Sequence, residues 1–215
     1  MWLLLAPTRL EAPFLKGEPF PFLGRMGLKG KGFVFLETGV GKVNAALALA
    51  HWASRHPVER ALLFGVAGAY PEAGLGLGEA ALVAEEVEAD LGLEEGLKPL
   101  GFPAMAVEGK PLYNRFSLDP ALTEALAARL GLPLRVGLTQ DRPSESLEEA
   151  KRRAARWNAH LENMEGAAFA RACLALGVPG AELRAVSNPA GVRDRGAWRL
   201  GEAVSTLREA VLALL

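Results

Sequence analysis

The sequence predicts an α/β fold, with a central sheet covered by helices on both faces. Short apolar runs alternate with longer helical patterns along the chain, and several helical patterns carry their own start and stop residues. A parallel strand must return by a crossover that is usually helical, so such alternation implies a layered arrangement. With 215 residues, half of them hydrophobic, the chain is long enough for one sizeable core, and residues 1–215 read as a single domain.

Trp2 to Ala6 is an apolar run and reads as the first strand; Gly32 to Glu37 is the next, followed by an Ala-rich helical pattern from Val43 to Ser54. Arg60 to Gly65 and Ala80 to Ala84 are further buried strands. The rhythm breaks from Glu85 to Asn114, where Gly92, Gly96, Pro99, Gly101, Pro103 and Gly109 suit a long functional loop or irregular strands. Pro120 to Leu130 is a helix capped by Asp119, with proline at its first position. Leu134 to Leu138 is a strand, and Leu147 to Asn158 a helix opened by a capping box of Ser146 and Glu149. Glu165 to Leu176 is a helix stopped by Gly177, Ala181 to Ser187 a strand, and Leu200 to Leu215 the last helix.

Charge and composition narrow the function. Twenty-four basic and twenty-five acidic side chains give a net charge of -1, which leaves no electrostatic footprint for nucleic acid or a membrane surface and favours a small-molecule ligand. Met1 to Ala6 is too short for a span or a secretory signal. The single Cys173 lies in an apolar helical run and suits a reducing cytoplasm. His51, His56 and His160 show no ligand spacing, so neither a metal nor another cofactor is expected.

Three segments carry chemistry. Gly39-Val40-Gly41-Lys42-Val43-Asn44 turns between a strand and a helix, where free N–H groups favour an anion or a polar sugar edge. A ligand-free tight turn has the same appearance. The glycine spacing before Lys42 does not fit a Walker loop, and Asn44 stands where a dinucleotide fingerprint needs its third glycine. Gly65-Val66-Ala67-Gly68 follows the next strand, and ligands of open α/β sheets collect at such carboxyl ends. The third segment is Asn163-Met164-Glu165-Gly166-Ala167-Ala168, with Arg184-Ala185-Val186-Ser187-Asn188 ending a later strand.

These motifs, in this order, resemble the purine nucleoside phosphorylase and nucleosidase superfamily. The resemblance implies a three-layer α/β/α domain with a mixed central sheet, cleavage of an N-glycosidic bond, and a homo-oligomer in which a neighbour's Phe102, Tyr113 or Phe116 could close the pocket. Thr8 and Glu11 after strand one, Ser187-Asn188, and Arg193-Asp194 are similar to the futalosine hydrolases of menaquinone biosynthesis, which release hypoxanthine from futalosine. Pro189-Ala190-Gly191 departs from the bulkier stretch expected there.

Such a reaction builds oxocarbenium character on the ribose and negative charge on the departing purine. The resemblance implies that Glu11 orients and deprotonates the attacking water; a solvated loop carboxylate is the ordinary alternative. Glu165 would accept ribose hydroxyls while Met164 packs on the sugar's apolar face, although carboxylates also sit at helix starts to complement the dipole. Asn188 carries amide N–H donors that suit N7 and O6 of a 6-oxopurine and oppose an adenine amino group; a turn asparagine before Pro189 is the alternative. Ser187, Gly39 and Gly68 would line the substrate, Thr139 and Gln140 the base. Arg115 or Arg193 would meet the carboxylate of the futalosine tail, and Phe116 is the preferred aromatic contact. A phosphorylase would need arginines near the glycine turns, where only Arg25 is available, so water is favoured over phosphate as nucleophile. A binding protein without catalysis is the rival from another class.

Overall fold

A computed structural model describes all 215 residues. Strands β1 (Trp2–Ala6), β4 (Phe33–Glu37), β5 (Ala61–Ala69), β6 (Ala80–Glu88), β10 (Leu134–Thr139) and β12 (Gly180–Pro189) form where the apolar runs predict them, with β5, β6 and β12 longer than expected. Helices α1 (Lys42–Ala53), α2 (Pro120–Leu130), α3 (Leu147–Trp157), α4 (Gly166–Leu176) and α5 (Leu200–Leu212) match the helical patterns to within a few residues. Asp119 accepts from Leu122 N at 2.8 Å and Ser146 from Glu149 N at 3.2 Å, as the capping residues require. Glu149 closes its box one residue early, onto Glu145 N at 2.8 Å.

Six further strands have weaker sequence signals. β2 (Glu18–Phe22) and β3 (Arg25–Gly30) make a hairpin on β4 in which β2 is proline-broken and largely exposed, as an edge strand can be. β7 (Met105–Val107) and β8 (Lys110–Leu112) pair only with each other, and β9 (Arg115–Ser117) lies antiparallel to β6. β11 (Leu161–Asn163) is three residues long. The irregular stretch from Glu85 is therefore the end of β6, a 3-10 turn at Lys98–Leu100 and a small hairpin.

The main sheet is mixed, in the order β11-β10-β6-β12-β5-β1-β4-β3-β2. β11 also pairs antiparallel with the end of β5, so this half of the sheet curls back on itself. Helices α1 and α4 pack together through one core with Leu49, Trp52, Phe169 and Cys173. The opposite core holds Leu126 of α2 and Leu207 and Val211 of α5. This is the expected three-layer α/β/α arrangement. The carboxyl ends of β1, β5 and β12 meet at one rim, where the register of β12 against β5 shifts between Val186 and Asn188. That bulge re-aims the chain just where the site is built.

Candidate active site

A cavity of about 310 Å³ opens at this rim. It brings together Glu11, Gly68, Met164, Glu165, Ser187, Asn188 and Arg193, residues drawn from opposite ends of the chain. A cleft of this size, mostly apolar with a few convergent polar groups, suits a small organic ligand.

Glu11 sits in the turn after β1, and both of its carboxylate oxygens are engaged. Oε2 accepts from Thr8 N at 3.0 Å and Thr8 Oγ1 at 2.9 Å, and Oε1 accepts from Val66 N at 3.0 Å. Burial outweighs these bonds and the nearby Arg184, so the Glu11 carboxyl titrates above the usual carboxylate range. A carboxylate tuned this way is a stronger base toward a bound water. Gly65 makes the geometry possible: a Cβ there would stand 2.7 Å from Glu11 Oε1 and 2.9 Å from Arg184 Nη1.

Glu165, just before α4, accepts from Gly41 N at 2.9 Å through Oε1, while Arg184 Nη2 donates to Oε2 from 3.3 Å. Glu165 lines the cavity beside Met164 and keeps lone pairs beyond those these donors use. The first glycine turn therefore works through Glu165. Gly41, at φ 97°, presents the N–H, whereas Gly39, at φ 90°, packs against the Arg25 guanidinium outside the cavity lining. The expectation of a direct ligand contact at Gly39 gives way to this indirect one.

Asn188 Oδ1 accepts from Ser187 Oγ at 2.8 Å, which fixes the amide so that Nδ2 donates to Pro189 O at 3.0 Å. One amide hydrogen remains for a ligand. Gly68 lies directly behind, where a Cβ would stand 3.3 Å from Asn188 Nδ2. Arg193 is exposed at the rim and makes no ion pair, while the adjacent Asp194 caps a 3-10 turn through Gly196 N at 2.9 Å. Trp198 and Leu200 add apolar wall beside it.

Four expected contacts fall elsewhere. Phe116 is fully buried in the core, with the Arg171 guanidinium 5.3 Å from its ring centroid. Its place on a three-residue strand within the layer, rather than at a strand end, removes it from the rim. Arg115 points the other way along that strand, into an ion pair with Glu85 and a bond to Trp157 O. Thr139 accepts from Ala167 N at 2.7 Å and so supports the start of α4 instead of a ligand. Gln140 likewise donates to Glu162 at 2.7 Å.

Glu162 is a structural hub that sequence reasoning missed. It accepts from Tyr70 Oη at 3.0 Å and from Ser144 N at 3.0 Å, tying the loop after β10 to the cavity wall. Arg184, read in the sequence only as the start of a motif, is 1% exposed, and two charged residues, Glu182 and Arg184, inside a buried strand are the signal of its role.

A rim cavity lined by three buried carboxylates, Glu11, Glu162 and Glu165, and set on this mixed sheet defines a class. The chain belongs to the phosphorylase superfamily, whose family model matches residues 11–215. Within it, the chain is 70% identical to futalosine hydrolase of Thermus thermophilus, covering 100% of this chain and 95% of that protein. It is 36% identical to futalosine hydrolase of Streptomyces coelicolor, over 84% of this chain and 77% of the relative. In fold it is similar to native futalosine hydrolase of Helicobacter pylori, with a TM-score of 0.83, 21% identity, and coverage of 99% and 96% of the two chains.

Proposed function

We infer that this chain hydrolyses the N-glycosidic bond of futalosine, releasing hypoxanthine and dehypoxanthinyl futalosine on the route to menaquinone. The observation that carries the reading is the convergence of Glu11, Glu165 and Asn188 on one cavity, in a chain similar over its whole length to a futalosine hydrolase.

Glu11 takes a proton from the attacking water, which adds to the anomeric carbon as the bond to the purine breaks. Glu165 holds the ribose hydroxyls and, being anionic, favours the cationic sugar of the transition state. The free amide hydrogen of Asn188 meets the leaving 6-oxopurine. Arg193 receives the tail carboxylate, and Leu10, Trp198 and Leu200 cover its ring. The only cation lining the cavity is Arg193, and Arg25, although it lies against Gly39, stands outside the lining with it, which supports water over phosphate as the nucleophile. No group of three or more His, Cys, Asp and Glu residues is placed to hold a metal ion, and no helix is long and apolar enough to cross a membrane.

The same reading carries a homo-oligomer in a reducing cytoplasm. Phe102, 73% exposed near the β7–β8 hairpin, supports a partner-facing role, and the lone buried Cys173 supports the compartment.

The test incubates purified protein with futalosine, inosine and methylthioadenosine separately, with and without phosphate, and follows the released base by chromatography. Hypoxanthine from futalosine without phosphate is the expected result. Release that requires phosphate, or adenine release from methylthioadenosine alone, overturns the reading.

A further inference from the structure

Beneath the cavity lies a group of buried charges that the chemistry above leaves unused. Arg184 Nε donates to Glu182 Oε1 at 2.7 Å, on the side away from the cavity. Its other nitrogens reach Glu165 Oε2 at 3.3 and 3.4 Å and Asn163 Oδ1 at 3.2 Å. Glu86, on β6, accepts from Asn163 Nδ2 at 2.6 Å and Thr139 Oγ1 at 2.7 Å. Glu86 and Glu182 are both fully buried.

The two carboxyl groups approach each other over Gly166. A Cβ on that residue would stand 2.3 Å from Glu86 Oε1 and 2.6 Å from Glu182 Oε1, so glycine is required in the Met-Glu-Gly-Ala segment to make room for the pair. Glu182 Oε2 is buried with no donor from any other residue. One cation, Arg184, thus faces four carboxylates: Glu182, Glu165, Glu11 and, behind them, Glu86. Four buried anions around one cation are not stable; at least one must carry a proton.

We propose that Glu86 and Glu182 hold one proton between them and act as positioning residues that fix the Arg184 guanidinium between Glu11 and Glu165. The proton supplies the donor that Glu182 lacks, and the remaining charge anchors Arg184 Nε. Arg184 then meets Glu165 with one edge while lying beside Glu11 across Gly65. Its charge, partly neutralised by Glu182, opposes the burial that raises the Glu11 pKa and so limits how strongly Glu11 holds its own proton.

Burial and the neighbouring Glu182 charge hold the Glu86 carboxyl well above the usual carboxylate range, which agrees with its carrying the proton. Besides Arg184, the titratable groups facing the pair are Glu165 before α4 and Cys173 on α4, whose thiol is pushed up by burial and by the Glu182 charge.

Two measurements on the full-length protein test this. The first is thermal melting of wild type and E86Q from pH 5 to 9, which needs no substrate. A group protonated in the fold and ionised when unfolded takes up a proton on folding, so wild-type stability is full below the unfolded value and is lost as pH rises through the folded one. The wild-type folding constant should therefore fall relative to E86Q, by up to about tenfold per pH unit. Parallel curves overturn the shared proton.

The second measurement is the pH profile of kcat/KM for futalosine, and it rests on the hydrolase reading; wild-type turnover checks that reading separately. E182Q leaves Arg184 less neutralised, so the acid limb should move down by about half a pH unit or more. E86Q, isosteric with the protonated acid, should retain at least about a third of wild-type turnover, while E86A loses about ten times more. An unmoved limb in E182Q, or E86Q as impaired as E86A, overturns the positioning role.

Discussion

Replacing Glu11 by Gln removes the carboxylate proposed as the base while keeping nearly the same volume. The carboxylate accepts three hydrogen bonds, from Thr8 N, Thr8 Oγ1 and Val66 N. In its better orientation the introduced amide turns its oxygen toward Thr8 and leaves Val66 N facing the amide nitrogen. One buried donor then goes unpaired, at a cost of about 1–3 kcal/mol. Against that, the neutral amide escapes the burial penalty that raises the Glu11 pKa, so the net change is small and Tm should move by only a few degrees. Losing a positioned base slows turnover by roughly 10²–10⁴, equivalent to about 2.7–5.4 kcal/mol at the barrier. Calorimetric binding of a substrate analogue should survive. Wild-type kcat/KM should climb with pH through the raised Glu11 value, because only the ionised form accepts the water proton, whereas E11Q should be flat over that range. Turnover within about tenfold of wild type in the variant, or an acid limb that persists in it, would refute Glu11 as the base.

Gly65→Ala places a methyl 2.7 Å from Glu11 Oε1 and 2.9 Å from Arg184 Nη1, and kcat should drop by at least about tenfold while the far-UV spectrum stays native. Asn188→Asp substitutes an acceptor for the amide donor, so the ratio of kcat/KM for futalosine to that for an adenine nucleoside should fall by about 10² or more in parallel assays. Arg193→Ala should raise KM for futalosine by about fivefold and leave inosine kinetics unchanged, since an exposed arginine contributes modestly and only to a substrate with a carboxylate tail. Thr8→Ala withdraws the hydroxyl donor from Glu11 Oε2; the acid limb should shift upward, because a donor to the ionised form lowers its pKa.

The layered class and most of the elements are legible in the amino-acid order alone. Apolar runs such as Leu3–Leu5 and Leu62–Phe64 can only be buried, and Asp119, Ser146 and Gly177 mark helix ends through local bonds that need no distant partner. The cavity-lining residues that could be read this way are those embedded in short motifs: Glu11 after the first strand, Met164 and Glu165 before a helix, and Asn188 at a strand end. Which neighbours those residues meet depends on how the chain packs. Phe116 and Arg115 are adjacent in the chain and alternate across a strand, so one enters the core and the other an ion pair, and neither reaches the cavity. The β11 strand, three residues long, is held by pairing with β10 and β5 rather than by any periodicity of its own. Arg184, Glu182 and Glu86 lie on two strands far apart in sequence, and their charges become tolerable only when the antiparallel pairing of β12 with β6 brings them together in a medium from which water is excluded.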